Sequence, residues 1–294
     1  MWFVFAILTF FSWGIADLFY KKSNSEEEKY SHLKTSIIVG LVMGIHAIIY
    51  YFVKDINVNL LDILKYLPVS LCYILSMVIG YKGLKYINLS ISSPIQNTSG
   101  FITSILLCLI FKEVLSFWEI IGLSLMFIGV LVLSIIEGKS NNEKKSLISK
   151  FKIITIMFPI LYCVIDGLGT FLDAIYLDYF EIVSEDVALI AYEITFFIYG
   201  LVLYLYLLIF KKEKVVIFKE KNKIFASLFE TLGQFTYVYA ISSNSIITVP
   251  IIDCYSALSV VLSRIFLKEK LNIKEVLSLI IIFGGIIILA IFEN

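Results

Sequence analysis

Residues 81–136, YKGLKYINLSISSPIQNTSGFITSILLCLIFKEVLSFWEIIGLSLMFIGVLVLSII, and residues 237–292, YVYAISSNSIITVPIIDCYSALSVVLSRIFLKEKLNIKEVLSLIIIFGGIIILAIF, superimpose without a gap at an offset of 156 residues. The register pairs Asn88 with Asn244, Pro94 with Pro250, Lys112 with Lys268, Glu113 with Glu269, Glu119 with Glu275 and Gly129 with Gly285. A duplication this long inside an apolar chain points to a membrane protein built from two related halves.

Composition sets the class. Of 294 residues, 60% are hydrophobic and 16% charged, and the mean hydropathy is +0.93. A water-soluble surface needs about a quarter charged residues, so lipid is the solvent for most of this chain. A bilayer core about 30 Å thick takes roughly 20 helical residues. Ten spans fit that length: Trp2 to Tyr20, Lys34 to Val53, Ile63 to Tyr81, Ser90 to Phe111, Phe117 to Ile136, Lys152 to Leu172, Val187 to Phe210, Lys223 to Ser242, Ile246 to Phe266 and Ile273 to Phe292. The apolar runs are continuous, whereas a barrel would alternate over segments of about ten residues. The fold class expected is therefore an all-α membrane protein of ten transmembrane helices. The first apolar run lacks a basic leader and a small-residue cleavage site, so it reads as a retained span. Cys72, Cys108, Cys163 and Cys254 all fall inside spans without metal-type spacing, which predicts free thiols and no metal or cofactor.

Basic residues sort between alternate loops. Of the 24 lysines and arginines, all but Lys54, Lys65 and Lys112 fall on the side reached by the first turn. By the positive-inside rule both termini then face out of the cytoplasm. Ten spans in two halves put five in each, and an odd number of crossings makes the second half enter upside down. The halves, 1–138 and 152–294, are thus expected to be inverted repeats joined by a polar cytoplasmic linker, 139–151. Lys-, Ile- and Asn-rich usage suggests an AT-rich bacterial genome, hence a bacterial cytoplasmic membrane.

The duplicated helices of Pro94 and Pro250, the Lys112-Glu113 and Lys268-Glu269 that end them, the Gly-bearing helix that follows and the Ser12-Trp13-Gly14 opening resemble the EamA-type repeat of the drug/metabolite transporter superfamily. The second-half equivalent of that opening is Asp166-Gly167, at an offset of 153, so the whole repeat needs a short gap. The resemblance covers the chain and implies a carrier of small metabolites, amino acids, nucleotide-sugar-like compounds or organic cations, working by exchange or proton coupling. Many members it resembles are thought to keep their termini in the cytoplasm, and the lysine pattern here says the reverse.

An ionisable group in a membrane span costs a few kcal/mol, so each one present is a site candidate. Counting about 1.5 Å per residue, Asp166, Glu193 and Asp253 fall at one depth, and Asp17, Asn97 and Glu230 at a matching depth toward the inner face. Asn97 and Asp253 are repeat partners, each three residues beyond its proline. A proline inside a helix frees a carbonyl one turn back, whereas at a first turn it would do nothing of the kind. Both readings stay open for Pro94 and Pro250. Each acid also has a plainer reading: Glu193, Glu230 and Asp166 as buried hydrogen-bonded groups, Asp17 as a snorkelling or lysine-paired group. Glu113 and Glu269 read as solvated charges at helix ends. His46 reads as a helix-contact histidine rather than a proton relay. Arg264 and Lys82, near span ends, are candidates to reach inward.

An acid-rich interior needs positive charge, from protons or from a cationic substrate. Trp13, Tyr73, Tyr162, Tyr192, Tyr237, Tyr239 and Tyr255 lie within spans, several near the acids. Rings around a carboxylate suit an alkylated ammonium, although a chain with 15% aromatic residues scatters tyrosines through its spans in any case. Asp173, Asp178, Glu181, Glu185 and Asp186 are expected to give the turn after the sixth span a negative field. The expected substrate-binding set is Glu193, Glu230, Asp253, Asp166, Asn97, Trp13, Tyr237 and Tyr255. The function expected is secondary transport of a small cationic or zwitterionic metabolite by alternating access, with proton or substrate exchange, in a monomer or homodimer that binds no nucleic acid. An exporter of neutral metabolites and a membrane-embedded enzyme on a lipid-linked substrate are the alternatives. The second is disfavoured by only two histidines and the lack of a Gly-rich phosphate loop.

Overall fold

The computed structural model describes residues 1–23, 30–83, 96–142, 152–267 and 272–292, and every regular element among them is helical. In chain order these are α1 (Trp2–Ser23), α2 (Ser31–Lys54), α3 (Leu60–Gly83), α4 (Ser99–Phe111), α5 (Phe117–Asn142), α6 (Lys152–Ala174), α7 (Glu185–Tyr206), α8 (Lys221–Ile241), α9 (Ser245–Asp253), α10 (Tyr255–Leu267) and α11 (Ile273–Phe292). A π-helical turn extends α6 over Ile175–Tyr179 and another extends α7 over Leu207–Lys211. Among the described residues seven spans are long and apolar enough to cross a membrane: Trp2–Tyr20, Ser31–Lys54, Leu60–Gly80, Met157–Tyr179, Glu185–Lys211, Ser245–Phe266 and Ile273–Phe292. Apolar helices Ser99–Phe111 and Phe117–Leu133 are shorter. Helix α8 occupies the expected Lys223 to Ser242 span as one continuous helix whose apolar run is broken by Glu230, Thr231, Gln234 and Thr236.

Several duplicated residues have local structural reasons. Asn244 accepts a hydrogen bond from the Ile247 amide at 3.4 Å and caps α9. At the start of α5, Glu119 accepts from the Ser116 amide at 2.6 Å while Ser116 Oγ accepts from the Glu119 amide at 3.3 Å, a reciprocal capping box. Glu275 repeats one half of this, accepting from the Asn272 amide at 2.9 Å, while Asn272 Oδ1 accepts from the Lys274 amide at 3.2 Å. Lys112 ends α4 in the left-handed region, φ 58°, and places positive charge at a helix C-terminus.

The expected single helix from Ile246 to Phe266 is two helices, because the chain turns at Cys254 between α9 and α10. Pro250 lies within α9 rather than at its first turn. It cannot donate to the Ile246 carbonyl, and Ser104 Oγ of α4 fills that role at 2.6 Å. In the first half the chain turns at Asn97 and Thr98, the repeat positions of Asp253 and Cys254, before α4 begins. Pro94 lies outside the described residues, as do Asn88, Lys268 and Glu269.

Packing follows a two-fold pattern. Helix α1 packs on α8 and α10 as α6 packs on α3 and α4, and α2 packs on α8 as α7 packs on α3. The equivalent helices α5 and α11 face each other. A Cβ on Gly129 would lie 2.6 Å from Ile282 Cγ1, and one on Gly285 would lie 2.7 Å from Met126 Cγ. These two contacts interchange under the 156-residue shift, and Gly122 meets Leu289 while Gly129 meets Ile282, so the two helices run antiparallel. The equivalent pair α2 and α7 is also antiparallel and closes on Gly40 and Gly200, where a Cβ on Gly40 would lie 2.4 Å from the Phe196 carbonyl oxygen. Small residues at such crossings let backbones meet, and van der Waals packing holds helices together where no hydrophobic drive exists between them.

Candidate functional site

The two helix breaks meet. Asp253, the last residue of α9, accepts a 2.5 Å hydrogen bond from the backbone amide of Gly100 in the first turn of α4. Ser99 Oγ lies 3.3 Å from Asp253 Oδ2 and 2.9 Å from Asp166 Oδ2, and Ser76 Oγ donates to Asp166 Oδ1 at 3.0 Å. One hydroxyl thus bridges carboxylates from α6 and α9. The free amides and positive dipole end of α4 suit the negative charge, and Gly100 allows the approach: its Cβ would lie 2.5 Å from Asp253 Oδ2.

The expected residues of α1 and α8 lie beside this pair. Trp13 Nε1 donates to the Glu230 carbonyl at 3.4 Å, and its ring centroid is 5.3 Å from Tyr237 and 6.0 Å from Tyr255. The indole lies against Gly233, where a Cβ would come within 2.3 Å of it. Tyr255 is within electrostatic range of Asp17, Asp166, Glu230 and Asp253. Asp17 accepts from Ser259 Oγ of α10. Trp13, Asp17, Asp166, Glu230, Asp253 and Tyr255 are each half-buried, Tyr237 is buried, and Asn97 is buried at the first-half turn. Of the expected set, Trp13, Asp166, Glu230, Tyr237, Asp253 and Tyr255 gather in one place.

Glu193 lies apart from them. It is fully buried in α7, and both its oxygens are 2.8 Å from His46 Nδ1 of α2. Of the three acids expected at one depth, Asp166 and Asp253 meet on Ser99, while Glu193 serves the α2–α7 seam. His46 is a helix-contact histidine with an acidic partner.

Of the five acids expected to give the turn after the sixth span a negative field, only Asp173 is buried, and Asp178 and Asp186 are half-buried and hydrogen-bonded. Asp173 is buried in α6, where Tyr66 donates to one oxygen and Tyr73 to the other at 3.4 Å. Asp186 accepts from Tyr50 at 2.6 Å and Tyr239 at 2.5 Å, and Asp178 accepts from the Ser245 amide at 2.8 Å. Glu181 is exposed. Desolvation is why Asp173 is buried only with donors attached. Asp173 follows Asp166 by two helical turns, a spacing that puts both on one face and could have flagged it. Tyr73 links the groups: its hydroxyl is 2.9 Å from that of Tyr237 and 3.1 Å from Thr170 Oγ1. No signal in the sequence marks the Tyr50–Asp186–Tyr239 cluster, whose members come from three helices.

Bases near the spans are committed elsewhere. Arg264, expected to reach inward, pairs with Glu275 at 3.1 Å, Lys34 with Glu213 at 3.2 Å and Lys223 with Glu220 at 2.5 Å. Lys82 has no described side chain. A separate open crevice of about 360 Å³ is lined by Glu113, Asp178, Tyr179, Ser243, Asn244 and Ile246. Among the described residues no group of three or more His, Cys, Asp or Glu is arranged to hold a metal ion, and the four cysteines are free thiols.

The profile of the EamA-like transporter family matches residues 1–135 and 153–291. No curated protein matches the chain significantly. A crystal structure of a protein 11% identical to this chain superposes with a TM-score of 0.74 over 99% of each chain, a likeness of fold.

Proposed function

The chain belongs to the EamA-like transporter family, and from that premise we propose that this multi-pass membrane protein is a secondary active transporter of a small cationic or zwitterionic metabolite: an amine, a choline-like compound or an amino acid. In this reading it crosses the bilayer ten times as two inverted five-helix halves, 1–138 and 152–294, joined by a cytoplasmic linker at 139–151. Both termini face outward from a bacterial cytoplasmic membrane. Alternating access of the halves moves substrate against protons or a counter-substrate.

The meeting of Asp166 and Asp253 on Ser99, with Glu230 and Asp17 in electrostatic range of Tyr255, carries the reading. Desolvated carboxylates need positive partners, and the neighbouring bases Arg264, Lys34 and Lys223 already hold other acids. A proton or a substrate cation supplies the charge, and competition between them for one carboxylate is a minimal exchange mechanism. Trp13, Tyr237 and Tyr255 offer ring faces worth about 1–2 kcal/mol each to a desolvated ammonium. Uptake of radiolabelled choline, ethanolamine or lysine into proteoliposomes tests it. Asp166→Asn, Glu230→Gln and Asp253→Asn are each expected to lower flux, and unaltered flux in all three removes the site assignment.

A further inference from the structure

Glu193 and His46 come from equivalent helices of the two halves, α7 and α2, and meet about two helical turns along the seam from the Gly40–Gly200 contact. The contact therefore joins a helix of the first half to one of the second. Nδ1 of the imidazole sits 2.8 Å from both carboxylate oxygens, Glu193 is 0% exposed, and the His46 side chain keeps 32% of its surface. One nitrogen of the ring is thus committed to a buried acid while the edge carrying Nε2 belongs to a partly open side chain. The ring is held by Tyr50, stacked at 5.7 Å, and by the edge of Phe235 at 6.1 Å.

The other titratable groups around the pair are already hydrogen-bonded to one another or lie beyond it. Tyr50 of α2 and Tyr239 of α8 both donate to Asp186 of α7, and their own hydroxyls are 2.8 Å apart. On the other face of α7, Tyr192 packs against Tyr73 of α3 at 5.7 Å. These groups offer Glu193 no second cation.

Resting on the transporter reading, we propose that His46 and Glu193 form a one-proton loading site at the seam between the halves, separate from the acids that face substrate. With Glu193 ionised, neutral His46 donates its Nδ1 proton to the carboxylate and leaves the Nε2 lone pair free. A proton from water adds at Nε2, and the Nδ1 proton passes to a Glu193 oxygen, leaving a neutral imidazole protonated at Nε2 and a neutral carboxylic acid. The pair gains one positive charge, no other bond changes, and the step reverses when the site is exposed to the opposite side. Loading replaces the charge-assisted hydrogen bond to the carboxylate with a neutral one from the Glu193 hydroxyl to Nδ1, about half as strong, so proton loading and release bias the seam between closed and open arrangements.

The test uses protons as the probe and needs no transported substrate, so it stands or falls independently of any flux assay. Infrared difference spectra of the full chain in lipid, taken on acidification, are expected to show a protonated-carboxyl band together with histidine ring bands. Glu193→Gln removes that carboxyl component, and the variant takes up about one proton fewer per chain. In His46→Phe, which keeps the ring packing, the Glu193 band should rise roughly tenfold to a hundredfold more slowly after a pH jump. If phenylalanine disrupts the seam, His46→Gln keeps a donor toward Glu193 without a path for the proton and gives the same rate test. A carboxyl difference spectrum and proton uptake in Glu193→Gln identical to those of the unsubstituted chain, or an unchanged rate in the His46 variants, overturns the proposal.

Discussion

The amide of Gly100 donates to the carboxylate of Asp253, so the first turn of a helix from the first half of the chain holds the last residue of a broken helix from the second. Two interruptions of helical structure thus solve each other's electrostatic problem: a carboxylate where lipid-like surroundings penalise charge, and unpaired amides at a buried helix start. Gly100→Ala would place a methyl 2.5 Å from Asp253 Oδ2 and 2.6 Å from Val249 Cγ1. Overpacking of this kind costs about 1–3 kcal/mol. Thermal unfolding in nanodiscs should show that loss, and flux through the folded fraction should fall with it.

Ser104 supplies the donor that Pro250 withholds from the Ile246 carbonyl. Ser104→Ala should destabilise the protein by about 1 kcal/mol, in the range of interhelical hydrogen bonds measured in membranes. In a Pro250→Ala background the amide at 250 can serve the carbonyl itself, and the cost of Ser104→Ala should shrink. A double-mutant cycle measured by unfolding checks the coupling, and additive effects would contradict it.

Gly129 and Gly285 are repeat partners whose contacts interchange, yet Gly285 also faces a backbone oxygen, Gly122 O, at 2.7 Å from an added Cβ, where Gly129 meets backbone only at 3.2 Å. Alanine at either position should weaken the α5–α11 crossing, and Gly285→Ala more than Gly129→Ala, since backbone cannot step aside as a side chain can. Comparing the two unfolding temperatures decides the order.

Asp173→Asn should lower stability by about 1–3 kcal/mol, because an amide cannot accept from Tyr66 and Tyr73 on both of its heavy atoms. Tyr73→Phe should cost less, since Tyr66 still donates. Equal losses would mean that the carboxylate depends on Tyr73 alone.

If the substrate is an alkylated ammonium, Trp13→Leu should weaken its apparent affinity about tenfold, the equivalent of a 1.4 kcal/mol ring contribution. Trp13→Phe should retain most of it. Concentration dependence of choline uptake into proteoliposomes gives the comparison.

Much of this molecule was legible in one dimension. Duplication, apolar runs and the Ser116–Glu119 and Asn272–Glu275 spacings are local or periodic patterns, and local geometry enforces them: a cap, a box or a lipid-length helix forms from residues a few positions apart. Asp166, Asp253, Glu230 and Trp13 could be singled out because a charge or indole within an apolar span is costly or conspicuous wherever the helix goes.

Tertiary structure decided which of them meet. Helix facing and crossing are set by long-range packing at Gly40, Gly200, Gly122 and Gly285, and no spacing along the chain encodes the partner. That packing sends Glu193 to His46 instead of to the aspartates and turns Asp173 and Asp186 inward to tyrosines from other helices. It also converts the expected Pro250 helix into two. The sequence by itself determined a duplicated, helical, lipid-soluble chain with buried acids, because hydropathy and periodicity are properties of neighbours. The pairing of those acids belongs to the fold, because burial makes each carboxylate's energy depend on donors that arrive from distant parts of the chain.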